Sequence, residues 1–223
     1  MAAALADGVS LQRVELELPL IGATDLDDWP GGTRQQLKAA TPLVLQLMTE
    51  LAGGVSVRVA QTPIDPAEGV LLFTSSQQRA VTFVTGDTLA EVQALRGEKD
   101  SGLMLLVNAE WKDEDWGWGI FTNTRLKAFA DSAVETFSVR RLRIRGQDLR
   151  VVRSYPSAWA LYAIGLDGER DKIEVIGSTA QRMSYVQAEA ALAALGKRSI
   201  ANADLSTRLR SEYAFNKDSA KDF

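Results

Sequence analysis

The chain has neither histidine nor cysteine in its 223 residues. Those absences exclude Ser-His-Asp and Cys-His nucleophilic sites, thiol redox chemistry, zinc and iron–sulfur ligation, and axial haem ligation by either residue. A disulfide scaffold is excluded as well, which by itself fits any compartment. What stays open is a magnesium or calcium site made of carboxylates, or acid–base work by Lys, Tyr or carboxylates. Long apolar runs are also missing: Leu43–Met48 is the best, and Gln46 interrupts it well short of a membrane span. Nor is there the strong positive charge typical of nucleic-acid-binding domains, since the formal net charge is −4. The opening octet, Met1 to Gly8, lacks both the basic residues and apolar core of a secretory signal and the Arg- and Ser-rich character of a transit peptide. A cytosolic chain, or a mature form without its targeting segment, is the expectation. Phosphate motifs fail too. Gly31-Gly32-Thr33 precedes a helix and offers backbone N–H groups to an anion, but no Walker lysine follows it and the chain holds no G-x-G-x-x-G.

What the chain does have is a concentration of tryptophan. Trp111, Trp116 and Trp118 follow the apolar run Leu103-Met104-Leu105-Leu106-Val107, which reads as a strand buried on both faces. Binding sites in open α/β sheets gather at the carboxyl ends of strands, so this aromatic, acidic and glycine-rich loop is the first place to look for one. Packing of the rings against the sheet end and the following helix competes with a ligand pocket or a partner interface. Asp113, Glu114 and Asp115 lack EF-hand spacing and read as a solvated loop rather than a cation site.

The remaining pattern predicts an α/β fold: a mixed sheet with helices on its faces and a C-terminal antiparallel meander. Leu11–Leu18 alternates as a strand closed by Pro19, and a helix from Thr33 to Ala52 carries Pro42, where a kink or a division into two helices is expected. Val55–Val59, Gly69–Thr74 and Ala80–Val84 read as strands, Thr88–Arg96 as a helix stopped by Gly97, and Asn123–Thr136 as a helix with apolar residues at helical spacing. Strands Val139–Arg145, Leu149–Ser154, Ala158–Ile164 and Lys172–Ile176 form the meander, and Thr179–Leu195 an Ala-rich helix stopped by Gly196. Residues 1–196 are read as one α/β domain, and 197–223 as a C-terminal arm.

Two further groups are candidate partner-binding residues. Arg141, Arg143 and Arg145 alternate along one strand face, with Arg140, Arg150 and Arg153 nearby and only Asp148 among them. Like charges about 7 Å apart repel unless something anionic answers them. Internal salt bridges, anionic lipid headgroups and an acidic protein partner all qualify; RNA is disfavoured because no aromatic platform interleaves the arginines. In the arm, Leu205, Leu209 and Tyr213 recur every four residues, a stripe too narrow for a core of its own but suited to docking on a partner or back on the domain.

Four segments together carry a resemblance. They are the Ala-rich helix ending at Gly8 and running into Arg13-Val14-Glu15-Leu16-Glu17-Leu18-Pro19, the strand end Leu105-Leu106-Val107-Asn108-Ala109-Glu110-Trp111, the helix around Phe129 leading to Phe137, and Val151-Val152-Arg153-Ser154-Tyr155-Pro156-Ser157-Ala158-Trp159-Ala160-Leu161-Tyr162. Over roughly residues 1–195 the chain resembles an uncharacterised-domain family of plants, algae and cyanobacteria. That family includes the Low PSII Accumulation photosystem assembly factors, and a version of the domain is fused behind a chloroplast adenylate kinase. The chain departs from the family pattern at Ala109, where a proline is usual, and in a first helix of which Met1 falls near the end, as in a shortened or processed chain. The family offers no catalytic residues and no cofactor to transfer. The resemblance implies a non-catalytic accessory or assembly protein of photosystem or antenna complexes, or a bound peripheral subunit of one. It also implies peripheral membrane association at the chloroplast stroma or thylakoid surface, or in the cytoplasm of a cyanobacterium. The kinase fusion and the α/β alternation keep a second expectation open, a plastid nucleotide- or small-molecule-binding module or enzyme, with its phosphate pocket near Gly31–Thr33 or at the tryptophan loop.

Overall fold

The structure is a computed structural model that describes residues 1–19, 32–97, 102–111, 113–117, 123–165 and 172–196. The fold is α/β, and its contacts divide the chain into two compact units: Met1–Leu18 with Trp29–Phe137, and Pro19–Asp28 with Ser138–Phe223.

In the first unit, helix α1 (Ala2–Ala6) leads into strand β1 (Leu11–Glu15), and α2 (Gly32–Leu51) is followed by β2 (Ala60–Asp65), β3 (Val70–Thr74) and β4 (Gln78–Thr82). Helix α3 (Leu89–Arg96), β5 (Leu103–Val107), a 3₁₀ turn at Asp113–Trp116 and α4 (Thr124–Ser132) complete it. The strands lie in the order β2-β3-β4-β5-β1, with β6 (Val134–Ile144) beside β1. β2, β3 and β4 pair antiparallel, whereas β4–β5 and β5–β1 are parallel, Leu11 opposite Met104 and Val14 opposite Val107. β5 reads as an unbroken apolar run because it is central and covered on both faces. Leu103, Leu105 and Val107 pack with Val44 and Met48 of α2, while Met104 and Leu106 pack with Leu89 and Val92 of α3 and Phe129 of α4. Each such fully buried side chain contributes roughly 1.5–3 kcal/mol of transfer free energy.

The second unit takes β6 onward as a hairpin meander, β6-β7-β8-β9, with β7 at Gln147–Ser154, β8 at Trp159–Ile164 and β9 at Ile173–Thr179. α5 (Tyr185–Ala194) packs on one face through Ala188 and Leu192, against Ile144, Leu149, Val151, Trp159 and Leu161. Gly177 lets the helix come close: a Cβ there would stand 3.3 Å from Met183 Cε and 3.6 Å from Ala191 Cβ.

Several elements differ from the sequence expectation, each for a physical reason. α2 is one 20-residue helix through Pro42. The proline is exposed, so the carbonyl it leaves without an N–H faces water. Val55–Val59 is not a strand; Val55 is 66% exposed, and pairing starts only at β2. β2 tolerates Pro63 because it is the outermost strand. α4 stops at Ser132, and the chain extends from Val134, drawn to the sheet by the buried hydrogen bond from the Thr136 hydroxyl to Gln12 Oε1. α5 begins at Tyr185, not Thr179: Ser184 and Gln187 form a capping box, while Thr179 still pairs with Trp159 in the sheet. The expected arm at 197–223 lies outside the described residues.

Candidate binding site

At the carboxyl end of β1 and β5, the chain is tied down by side chains. Asn108 takes a left-handed backbone, φ +50°, and its carboxamide accepts from Leu16 N at 2.7 Å and donates to Leu16 O at 3.0 Å. It thus extends the parallel ladder where the strand itself has ended. Arg13 Nη2 donates to Ala109 O at 2.9 Å, and its guanidinium lies 4.7 Å from the centroid of the Trp111 ring. Such a cation–π contact contributes about 0.5–2 kcal/mol, depending on how dry it is. Trp111 meets Trp116 at 6.5 Å between centroids, tilted by 57°. Trp116 is only 4% exposed and packs among Leu89, Val92, Phe129 and Ala130, so its ring is core in the isolated chain. Trp111 is half-buried, and Trp118 lies outside the described residues. Of the two described rings, Trp111 is the one with part of its surface at the loop's exterior. Gly86 makes this packing possible, since a Cβ there would collide with the Asp115 side chain.

The arginine group of the second unit is arranged differently from the expected single face. Arg141 and Arg143 lie along β6, but Arg145 falls beyond its end, at φ +51°, and forms the β6–β7 turn with Gly146 at φ +81°. A type of turn with both central residues at positive φ twists with the strands it joins, and it removes Arg145 from the alternation. Arg145 Nη2 instead meets Glu189 Oε1 of α5 at 2.8 Å. Asp148 is held by two arginines, Arg141 through Nε at 3.3 Å and Arg150 through Nη1. Much of the cluster's charge is therefore answered from within the unit, as one of the three alternatives expects.

Trp159, expected mid-strand on one face with Leu161, is so placed, at 3% exposure within the core cluster. Arg153 and Arg182 both stand over its ring, at 5.6 and 5.4 Å from the centroid. Arg13 and Arg182 carry no sequence signal as ring partners, because each lies far along the chain from the tryptophan it meets. The segment joining β7 to β8 turns through a cis Tyr155–Pro156 bond.

One face of the meander remains accessible. Leu161 and Ala163 of β8 point to the α5 side, so Tyr162 and Ile164 point away from it. Their partners across β9 are Val175 and Ile173, exposed by 56% and 65%, and across β7 they are Arg150 and Asp148. This face thus combines an apolar strip at the outermost strand with the Arg141–Asp148–Arg150 cluster beside it. Leu205, Leu209 and Tyr213 lie outside the described residues. No described helix is long and apolar enough to cross a membrane, and no group of three or more acids among the described residues could hold a metal.

A family model described as a domain of unknown function, DUF1995, matches residues 1–190. No curated protein and no solved structure matches the chain.

Proposed function

Because the chain belongs to the DUF1995 family, whose domain carries no assigned activity, we propose its role from its own surfaces and from the segments that resemble the photosystem assembly factors. The protein acts as a non-catalytic accessory or assembly protein of photosynthetic complexes. It works by binding photosystem or antenna proteins at the thylakoid surface, peripherally to the membrane. The observation that carries the binding role is the open face of the β6–β9 meander, where Ile173 and Val175 stand 65% and 56% exposed on an outermost strand. Soluble proteins usually blunt such strands with charge, proline or a bulge, because unpaired backbone and apolar side chains recruit other chains. Here Tyr162 and Ile164 continue the apolar strip toward the Arg141–Asp148–Arg150 cluster, a composition suited to a protein surface that is apolar at its centre and polar at its margin. The photosynthetic setting is supported by the resemblance of the Val151–Tyr162 segment and the other three quoted above.

The test is recovery of partners from detergent-solubilised thylakoids, with the wild type and an Ile173→Ser, Val175→Ser variant as baits. Photosystem or antenna subunits should come down with the wild type and fall at least fivefold with the variant. Both side chains are exposed, so each change should leave folding stability within about 0.5 kcal/mol. Equal recovery by both baits, or recovery of no photosynthetic subunit by either, would overturn the reading.

A further inference from the structure

Strand β9 is the outermost of the described strands in the second unit, and its register fixes which way its backbone groups point. Gly165 N donates to Lys172 O at 2.7 Å, so this opposed pair is hydrogen-bonded across β8 and β9. Ile164 opposite Ile173, Ala163 opposite Glu174 and Tyr162 opposite Val175 follow in order. Bonded and non-bonded pairs alternate in an antiparallel ladder. Lys172 and Glu174 therefore turn their backbone N–H and C=O groups toward β8, while Ile173 and Val175 turn theirs outward. Exposures of 65% for Ile173 and 56% for Val175 agree with a strand paired on one side only. Both side chains also lie on the sheet face away from α5, so an open hydrogen-bonding edge and an apolar strip coincide at these two residues. Past Val175 the register shifts at a bulge opposite Leu161 and Tyr162, which ends the regular edge.

We propose that this edge takes up an extended segment of a partner protein by strand addition. The inference rests on the protein-binding reading above and specifies its mode, main-chain pairing along β9. The N–H and C=O groups of Ile173 and Val175, spaced as on a strand, are matched by another extended backbone. Incoming side chains opposite Ile173 and Val175 fall on the apolar face, and the residue between them falls opposite Glu174 on the other face. The segment that fits is apolar at two alternate positions, with a basic or neutral residue between them. A second copy of this chain fits poorly. The self-pairing that engages both outward residues sets Ile173 opposite Val175 and centres on Glu174, so two carboxylates stand directly across from each other. Such a like-charge pair turns the edge away from self-assembly and toward a different chain.

The experiment titrates the full 15N-labelled chain with the capped peptide Thr-Val-Lys-Val-Thr. Amide shifts should saturate and centre on Ile173 and Val175, and the solvent exchange of those two amides should slow at least tenfold at saturation. The same peptide with both valines N-methylated keeps its side chains but loses its donors, and should bind at least tenfold more weakly. Val175→Pro removes an outward N–H that the fold does not use, so it should keep the melting temperature and lose the peptide. Should that variant unfold, the N-methylated peptide decides the point with the protein unaltered. In the thylakoid recovery, partners kept by Val175→Pro but lost by the double serine variant would overturn strand addition and leave the protein-binding reading standing. Peptide binding that needs the valine N–H groups, with no photosynthetic subunit recovered, would overturn that reading and leave strand addition standing. Equal binding of the N-methylated peptide, or a dimer of the chain that protects the same two amides, would overturn the proposal.

Discussion

Asn108 stands in for two residues of strand. Its carboxamide satisfies both the N–H and the C=O of Leu16, and its own backbone sits at φ +50°, a region asparagine enters more readily than most side chains. Asn108→Ala should therefore leave Leu16 without either partner and cost about 2 kcal/mol in urea denaturation. Trp159→Ala should cost more, about 3–5 kcal/mol, because the ring is 3% exposed and two arginines lie over it. A loss under 1 kcal/mol would mean the site collapses around the missing ring. At this scale the sequence speaks clearly where one residue decides its own environment. Trp159 between Ala158 and Ala160 on an alternating strand has one face to choose. It speaks poorly where a partner comes from afar: Trp116 is core because α3 and α4 close over it, and Arg145 leaves its strand because the turn demands positive φ.

Elements buried on both faces were the most legible. β5 follows from five consecutive apolar residues, β3 from the apolar run Val70–Phe73 after Gly69, and the first meander strand from alternation ending at Gly146. The misreadings fall where pattern and pairing disagree. Val55–Val59 alternates but pairs with no strand among the described residues, while Ala60–Asp65 pairs with β3 despite Pro63. Within the meander, the pairing of Arg141 and Arg150 with Asp148 has a measurable consequence. Their side chains, and that of Asp148, are mostly buried, so Arg141→Glu sets a carboxylate beside Asp148 and should cost about 1–3 kcal/mol. Arg145→Glu, set against Glu189 on an exposed pair, should cost less than about 1 kcal/mol. Thermal denaturation of the two variants separates these outcomes. If both are neutral, the cluster owes nothing to Asp148.

At the scale of the whole chain, the division into two units falls at three places along the sequence, and at the last, between Phe137 and Ser138, β6 runs through as a single strand, Val134–Ile144. A continuous strand leaves no Gly- or Pro-rich break to read. On the proposed reading, the arm expected from sequence beyond Gly196 serves association rather than either unit. Deleting residues 198–223 should weaken binding to thylakoid complexes while leaving the denaturation midpoint of residues 1–196 unchanged. Loss of several kcal/mol on deletion would instead make Leu205, Leu209 and Tyr213 part of the core. Association should also fall as sodium chloride is raised, since exposed charges are screened beyond about 8 Å at physiological ionic strength.

The parallel pairing of β1 with β5 has a consequence in time. Leu16 and Asn108, joined by two hydrogen bonds, are separated by 92 positions in the chain. A ribosome adds roughly 5–20 residues per second, so β1 waits on the order of 5–20 s after its own synthesis before its neighbour exists. Throughout that interval Leu11 and Val14, both destined for the interior, have no permanent cover. Closing so long a loop also slows the search once β5 has emerged. The nascent first unit thus holds apolar side chains in water over that interval, and ribosome-bound chains halted before residue 103 should be far more sensitive to protease than chains halted after residue 144.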